Sequence, residues 1–198
     1  DGTPKPKAQR NFTDPDSRIM VKGGQFLQAY NAQAAVDAEA QIIVAAAVTN
    51  EPTDVEHLVP MLDAVAENCG KTPMVSSADT GYFSRENAEA CAARAVDAHI
   101  AVGRGEPRIP PAPESPTAAQ QARAAMAAKL TTAAGKATYA RRKCIVEPAF
   151  GQIKEARGFR RFSFRGLVAV RAEWAFVCAT HNLLKLFRAR AAPALAAA

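Results

Sequence analysis

The stretch FLQAYNAQAAVDAEAQIIVAAAVT, Phe26 to Thr49, decides the fold. From Phe26 to Val36 it alternates. Phe26, Tyr30, Ala32, Ala34 and Val36 fall on one face and Asn31, Gln33 and Asp37 on the other, as in a half-buried strand. A tight connection over 37–40 leads into a second strand, Gln41 to Thr49, apolar on both faces. The pair therefore reads as an antiparallel hairpin inside a covered sheet.

Downstream of the hairpin, Thr53 and Glu56 have capping-box spacing, and Val55, Leu58, Val59, Leu62, Val65, Ala66 and Cys69 recur at helical intervals until Gly70. Pro73 to Ala78 reads as a buried strand that stops at Asp79, with Thr80 and Gly81 supplying a turn. Ser84 caps a helix over 85–95, and 98–102 reads as one more strand. Strand, strand, helix, strand, helix, strand is an α/β arrangement, a sheet flanked by helices, and it occupies 26–102.

Residues 1–25 read as an irregular lead-in rich in Pro, Lys, Asn, Asp and Gly. Five prolines between Gly103 and Pro116 mark a loop, followed by an alanine-rich helix over 117–134; together, 103–135 read as an insertion. The C-terminal helices fill 136–190. The first, over 139–157, is expected to start or kink at Pro148. The second, over 167–188, carries the apolar stripe Leu167, Val170, Trp174, Val177, His181 and Leu184. The tail, 191–198, is expected to fray.

The 198 residues are 48% hydrophobic, enough for a core, which excludes a wholly disordered chain. No apolar run reaches the ~18 residues of a membrane span and the first ten residues are not signal-like, so the expectation is a soluble, cytoplasmic protein with no membrane partner. A start at Asp1 without methionine reads as a piece of a longer product. Cys69, Cys91, Cys144 and Cys178 are scattered without a C-x-x-C pair, which argues for reduced packing residues rather than zinc ligands or disulfides.

The formal charge is +6, and it is concentrated. Nine basic residues lie between Lys136 and Arg165 against two acidic ones, Glu147 and Glu155. A solvated helix face is the plain explanation of such a run. Phe150, Phe159, Phe162 and Phe164, interleaved with the arginines, favour nucleic-acid contact instead.

Two carboxylates stand out. Asp79 ends an apolar strand immediately before a glycine turn, the place where open α/β sheets put their sites, although glycine turns also attract Asp for purely local reasons. Glu147 is the only acidic residue between Lys136 and Lys154, with Lys143 and Lys154 on its face at helical spacing. Exposed helix ion pairs would explain it at a few tenths of a kcal/mol. A carboxylate holding a hard divalent cation among phosphate-binding cations would explain it functionally. Phosphodiester chemistry by two Mg²⁺ ions about 3.5–4 Å apart uses such carboxylates, and normally a third. His181, on the apolar stripe, reads as a core residue; His57 and His99 have no catalytic pattern around them, and no glycine-rich phosphate loop is present.

Five segments in order carry a resemblance: Asn11-Phe12-Thr13-Asp14-Pro15-Asp16-Ser17-Arg18, Tyr30-Asn31-Ala32-Gln33-Ala34-Ala35-Val36-Asp37, Ala78-Asp79-Thr80-Gly81-Tyr82, Arg142-Lys143-Cys144-Ile145-Val146-Glu147-Pro148 with Phe150-Gly151-Gln152-Ile153-Lys154, and Gly158-Phe159-Arg160-Arg161-Phe162. They resemble the catalytic region of bacterial insertion-sequence DDE transposases, and the likeness covers nearly the whole chain. The resemblance implies a ribonuclease-H-like mixed sheet and an enzyme that cuts and joins mobile-element DNA with three acidic residues and Mg²⁺ or Mn²⁺. Asp79 matches the family's second aspartate and Glu147 its final glutamate. Lys154 matches a lysine on the glutamate's helix. Where relatives carry Tyr and Arg seven and four residues before that glutamate, this chain has Ala140 and Lys143.

In relatives the first aspartate ends the first sheet strand. Asp1-Gly2-Thr3 has no apolar strand before it, and Asp14 and Asp16 look like turn or positioning residues. The resemblance thus implies a sheet lacking its first strand, two of three metal ligands, and a chain inactive alone. It further implies double-stranded DNA as partner and a homo-oligomer as the active assembly. Arg142, Lys143 and Lys154 would grip DNA near the cleaved bond, Arg160, Arg161 and Arg165 would bind it non-specifically, and Asn31 and Gln33 would line the site. The alternatives are a non-catalytic DNA-binding remnant, and a ribonuclease-H-like nuclease that prefers 2′-hydroxyls.

Overall fold

Alternation and helical periodicity act locally, and most of the expected elements form where they predict. The computed structural model describes residues 10–103 and 115–196. The hairpin appears as β3 (Asn31–Val36) and β4 (Ile43–Thr49), antiparallel from Asn31↔Thr49 to Val36↔Ile43. Before it, β1 (Arg18–Lys22) and β2 (Gln25–Ala29) form a second hairpin. This corrects the irregular lead-in: β1 lies inside 1–25, and the single strand expected over 26–36 is divided at Tyr30 between β2 and β3. The reason is the Gly23-Gly24 turn, both residues at positive φ, which closes a hairpin whose Val21 and Phe26 stay exposed and so lack a buried alternating face.

After β4, a 3-10 turn (Val55–His57) leads into α1 (Leu58–Cys69), which Gly70 ends in the left-handed conformation. The expected capping box at Thr53 is absent: Asp54 occupies the N-cap position and makes no side-chain cap bond. β5 (Val75–Ala78), α2 (Arg85–Ala93, capped by Ser84) and β6 (Asp97–Ile100) follow, with β5 and β6 parallel. The Pro-rich loop expected over 103–116 lies mostly outside the described residues. α3 (Ala118–Thr131) opens with a complete capping box from Thr117 and Gln120.

α4 (Ala133–Gly151) passes through Pro148 without starting there, and a π-helical turn over Gln152–Ala156 continues it. A proline leaves the carbonyl four residues earlier without its donor. Here that carbonyl, on Cys144, accepts the side-chain amide of Gln41 at 2.7 Å. α5 (Leu167–Ala196) runs on through most of the tail expected to fray.

Two cores result. Ile43, Val48, Ile153, Val170, Trp174 and Cys178 pack one face of β3–β4 against α4 and α5, with Phe150, Phe159 and Phe162 around Trp174. Leu58, Leu62, Cys91, Val96, Ala98, Ile100 and Met126 pack around β6. Each fully buried aliphatic contributes roughly 1.5–3 kcal/mol. His181 is fully buried with Nε2 on the carbonyl of Gln41 at 3.0 Å, a core residue as its stripe implies. The cysteines are free; Cys91 and Cys178 are buried, whereas Cys69 and Cys144 are exposed and do not pack. No described helix is long and apolar enough to cross a membrane.

Candidate active site

β3 and β5 are not hydrogen-bonded to each other, and between them lies a cavity of about 260 Å³. Consecutive residues line it from both strands, Asn31 to Ala35 and Ser76 to Asp79. Side chains of successive strand residues point to opposite faces, so the two strands present edges to the cavity rather than faces. Leu58, Met61, Leu62 and Val65 of α1 and Arg142, Val146 and Phe150 of α4 complete its walls. Two buried atoms here, Ser76 Oγ and Arg142 Nε, have no hydrogen-bond partner.

Asp79 stands at the end of β5, where the extended backbone turns into the 3-10 turn Thr80–Tyr82, and its Oδ1 accepts the Gly81 N–H at 3.0 Å. This is the local role expected of an Asp before a glycine turn, and Oδ2 has no hydrogen bond among the described residues. Asn31 and Gln33 line the same cavity. Beside them is a carboxylate that sequence reasoning missed, Asp54. Its Oδ1 accepts Asn31 Nδ2 at 2.6 Å and Gln33 Nε2 at 2.7 Å. Its Oδ2 lies 2.6 Å from the place a Cβ on Gly81 would take, and Asp79 Oδ1 lies 3.2 Å from the same place. Asp54 and Asp79 therefore flank Gly81. Burial, then the charges of Asp54 and Asp79, push the Tyr82 phenol well above its ordinary value, while its hydroxyl donates to Gln33 Oε1. The sequence signal for Asp54 was an Asp just before the first turn of a helix, which N-capping alone would have explained.

Glu147 is exposed on α4, one residue past the cavity-lining Val146 and outside the cavity wall. Carboxylates are the right donors for Mg²⁺ or Mn²⁺. Among the described residues, however, no group of three or more Asp, Glu, His or Cys is arranged to hold a metal ion, so a full cage is not assembled from them.

Next to the cavity, and sharing Ala32 and Phe150 with it, lies a groove of about 960 Å³ lined by Lys154, Arg160, Arg161 and Arg165 among others. Four of the six expected DNA-contacting cations thus meet in one depression; Arg142 faces the cavity, and Lys143 is exposed on α4. Lys154 Nζ sits 5.1 Å over the Phe150 ring, and Arg160 pairs with Glu155. The interleaved phenylalanines are mostly structural: Phe150, Phe159 and Phe162 pack on Trp174, and Phe164 is exposed. Asp14 and Asp16 position the groove's wall. Asp14 accepts Tyr30 Oη at 2.6 Å and Gly166 N at 3.1 Å, and Asp16 accepts Leu167 N at 2.8 Å at the start of α5.

A strand-end aspartate beside a basic groove is matched by a family comparison: the transposase DDE domain model covers residues 2–183. The chain belongs to the transposase DDE domain family. No curated protein and no solved structure matches it. Membership of the transposase DDE domain family implies DNA as a partner. The mixed α/β architecture agrees with the family, here divided into separate two-stranded sheets.

Proposed function

We propose that this domain cleaves and joins the DNA ends of an insertion element, with Asp79 and Glu147 as the carboxylates that carry Mg²⁺ or Mn²⁺. The observation that carries the reading is the continuity of the Asp79 cavity with the basic groove through Ala32 and Phe150. When bound, such ions supply activation of the attacking oxygen and stabilisation of the leaving one. The chain's own residues do the rest: Lys154, Arg160, Arg161 and Arg165 seat the phosphate backbone in the groove, Arg142 and Lys143 extend the positive surface along α4, and Asn31 and Gln33 fix the polar edge beside Asp79. The facing edges of β3 and β5 support a ribonuclease-H-like sheet short of one strand, which would bring the third carboxylate. An apolar stripe on α5, Phe176, Leu183 and Phe187, all exposed, supports self-association in the active assembly. A cytoplasmic, nucleoid-associated location accords with a DNA partner.

Asp79→Asn and Glu147→Gln should each abolish Mg²⁺- or Mn²⁺-dependent nicking of element-end DNA and leave DNA affinity within about threefold. Undiminished nicking by either variant would refute the assignment. One observation favours a second reading, a non-catalytic DNA-binding remnant: no three-ligand group occurs among the described residues. That reading predicts DNA binding without metal-dependent nicking in the unmodified protein.

A further inference from the structure

Asp54 does not do what its position in the chain suggests. An Asp at an N-cap normally accepts backbone N–H groups of the helix it precedes. The Asp54 carboxylate makes no such bond. It turns toward β3 instead, where Oδ1 takes two short bonds from Asn31 and Gln33. Gln33 is only 2% exposed and its polar groups are all engaged: Nε2 with Asn31 Oδ1 at 2.9 Å and with Asp54, Oε1 with the Tyr82 hydroxyl, and the main-chain oxygen with Trp174 Nε1 at 2.9 Å. Hydrogen bonds that converge on the buried Gln33 from Asn31, Asp54 and Tyr82, themselves part-buried, favour one geometry. The other oxygen of Asp54 rests against Gly81, the residue whose N–H holds the Asp79 carboxylate. No ion pair to Asp54 or Asp79 occurs among the described residues.

We infer that Asp54 is a positioning residue for Asp79. Anchored on β3 through Asn31 and Gln33, it braces the Gly81 turn from behind, so that the end of β5 keeps a fixed place relative to β3 although no ladder bond joins the strands. The absence of a side chain at Gly81 is part of the device. The inference rests on the proposed catalytic role of Asp79 for its consequence in activity, but its structural core is independent of that role.

Three variants of the full chain test it by two readouts, amide hydrogen exchange at Gly81 and metal-dependent nicking. Asp54→Ala should speed Gly81 exchange about tenfold or more, with α2 and β6 amides unchanged. It should also lower kcat by about tenfold to a hundredfold at unchanged KM for DNA. Asp54→Asn keeps an acceptor oxygen and the shape, and should stay within about threefold of the unmodified protein in both readouts. Gly81→Ala, which pushes Asp54 away from the opposite side, should reproduce Asp54→Ala and stands in for it if that variant does not fold. Unchanged Gly81 exchange in Asp54→Ala or in Gly81→Ala overturns the inference. A loss of nicking in Asp54→Asn as deep as in Asp79→Asn overturns it too, because it would make Asp54 a ligand instead. If the unmodified protein does not nick DNA, the proposed function fails while the exchange readout still decides this inference.

Discussion

Gln41 donates its side-chain amide to the main-chain oxygen of Cys144 at 2.7 Å, across 103 residues of chain, and so satisfies the carbonyl that Pro148 leaves without a helical donor. The same residue receives Lys185 Nζ on its Oε1 at 2.6 Å and His181 Nε2 on its main-chain oxygen, at a backbone φ of 57°. One turn residue thus ties the β3–β4 connection to both C-terminal helices.

Replacing that amide has a definite expected outcome. Gln41→Ala removes the donor to Cys144 and the acceptor for Lys185 and should destabilise the fold by about 1–3 kcal/mol in chemical denaturation. Gln41→Gly loses the same bonds but suits the left-handed backbone, and should be milder by up to about 1 kcal/mol. Equal stability of Gln41→Ala and the unmodified protein would mean that water serves the Cys144 carbonyl equally well.

At Gly135, an added Cβ would stand 2.0 Å from the main-chain oxygen of Lys129, a backbone atom that cannot swing aside. Despite the better helix propensity of alanine, Gly135→Ala should lower stability by roughly 2–4 kcal/mol. A rise in melting temperature would show that α3 and α4 can separate at their junction without penalty.

Salt dependence reports on the groove. Replacing Arg160, Arg161 and Arg165 with alanine should weaken binding to duplex DNA of any sequence. The slope of log affinity against log salt should fall by about 0.9 for each phosphate that the groove no longer neutralises. Arg160 already pairs with Glu155 and should contribute least of the three. An unaltered slope would place the DNA elsewhere on the molecule.

Thiol chemistry should divide the cysteines by burial. Burial pushes the Cys178 thiol up to about 12, and burial likewise raises Cys91 despite nearby Arg94 and Lys129. At pH 8 the native protein should therefore alkylate at Cys69 and Cys144 and take up the other two equivalents only on unfolding. The sign for stability follows: raised folded-state values stabilise fully below the unfolded thiol's ~8.5, and that contribution is lost as pH rises toward the folded value. Four rapid equivalents by mass spectrometry of native protein would contradict the packing of α2 and α5.

What the amino-acid sequence determined by itself was whatever short-range physics decides. Alternation within 31–36, the apolar run within 43–49, helical spacing over 58–69, the Ser84 cap, the Gly70 stop and a strand that ends just before Asp79 all depend on residues a few positions apart, and all appear in the fold. The five ordered motifs added the family. Tertiary structure alone decided the rest, because each remaining outcome turned on a partner far along the chain. Helix α4 runs through Pro148 because Gln41, over a hundred residues earlier, replaces the missing donor. Asp54 forsakes its helix because Asn31 and Gln33 offer two donors in place of the cap. The arginines spread over 160–165 line one groove with Lys154, where Asp14 and Asp16, far back in the chain, accept the N–H groups of Gly166 and Leu167 at the start of α5. Periodicity cannot encode such encounters, since a polar side chain's choice between a local backbone group and a distant one is settled only when folding brings the distant one within reach.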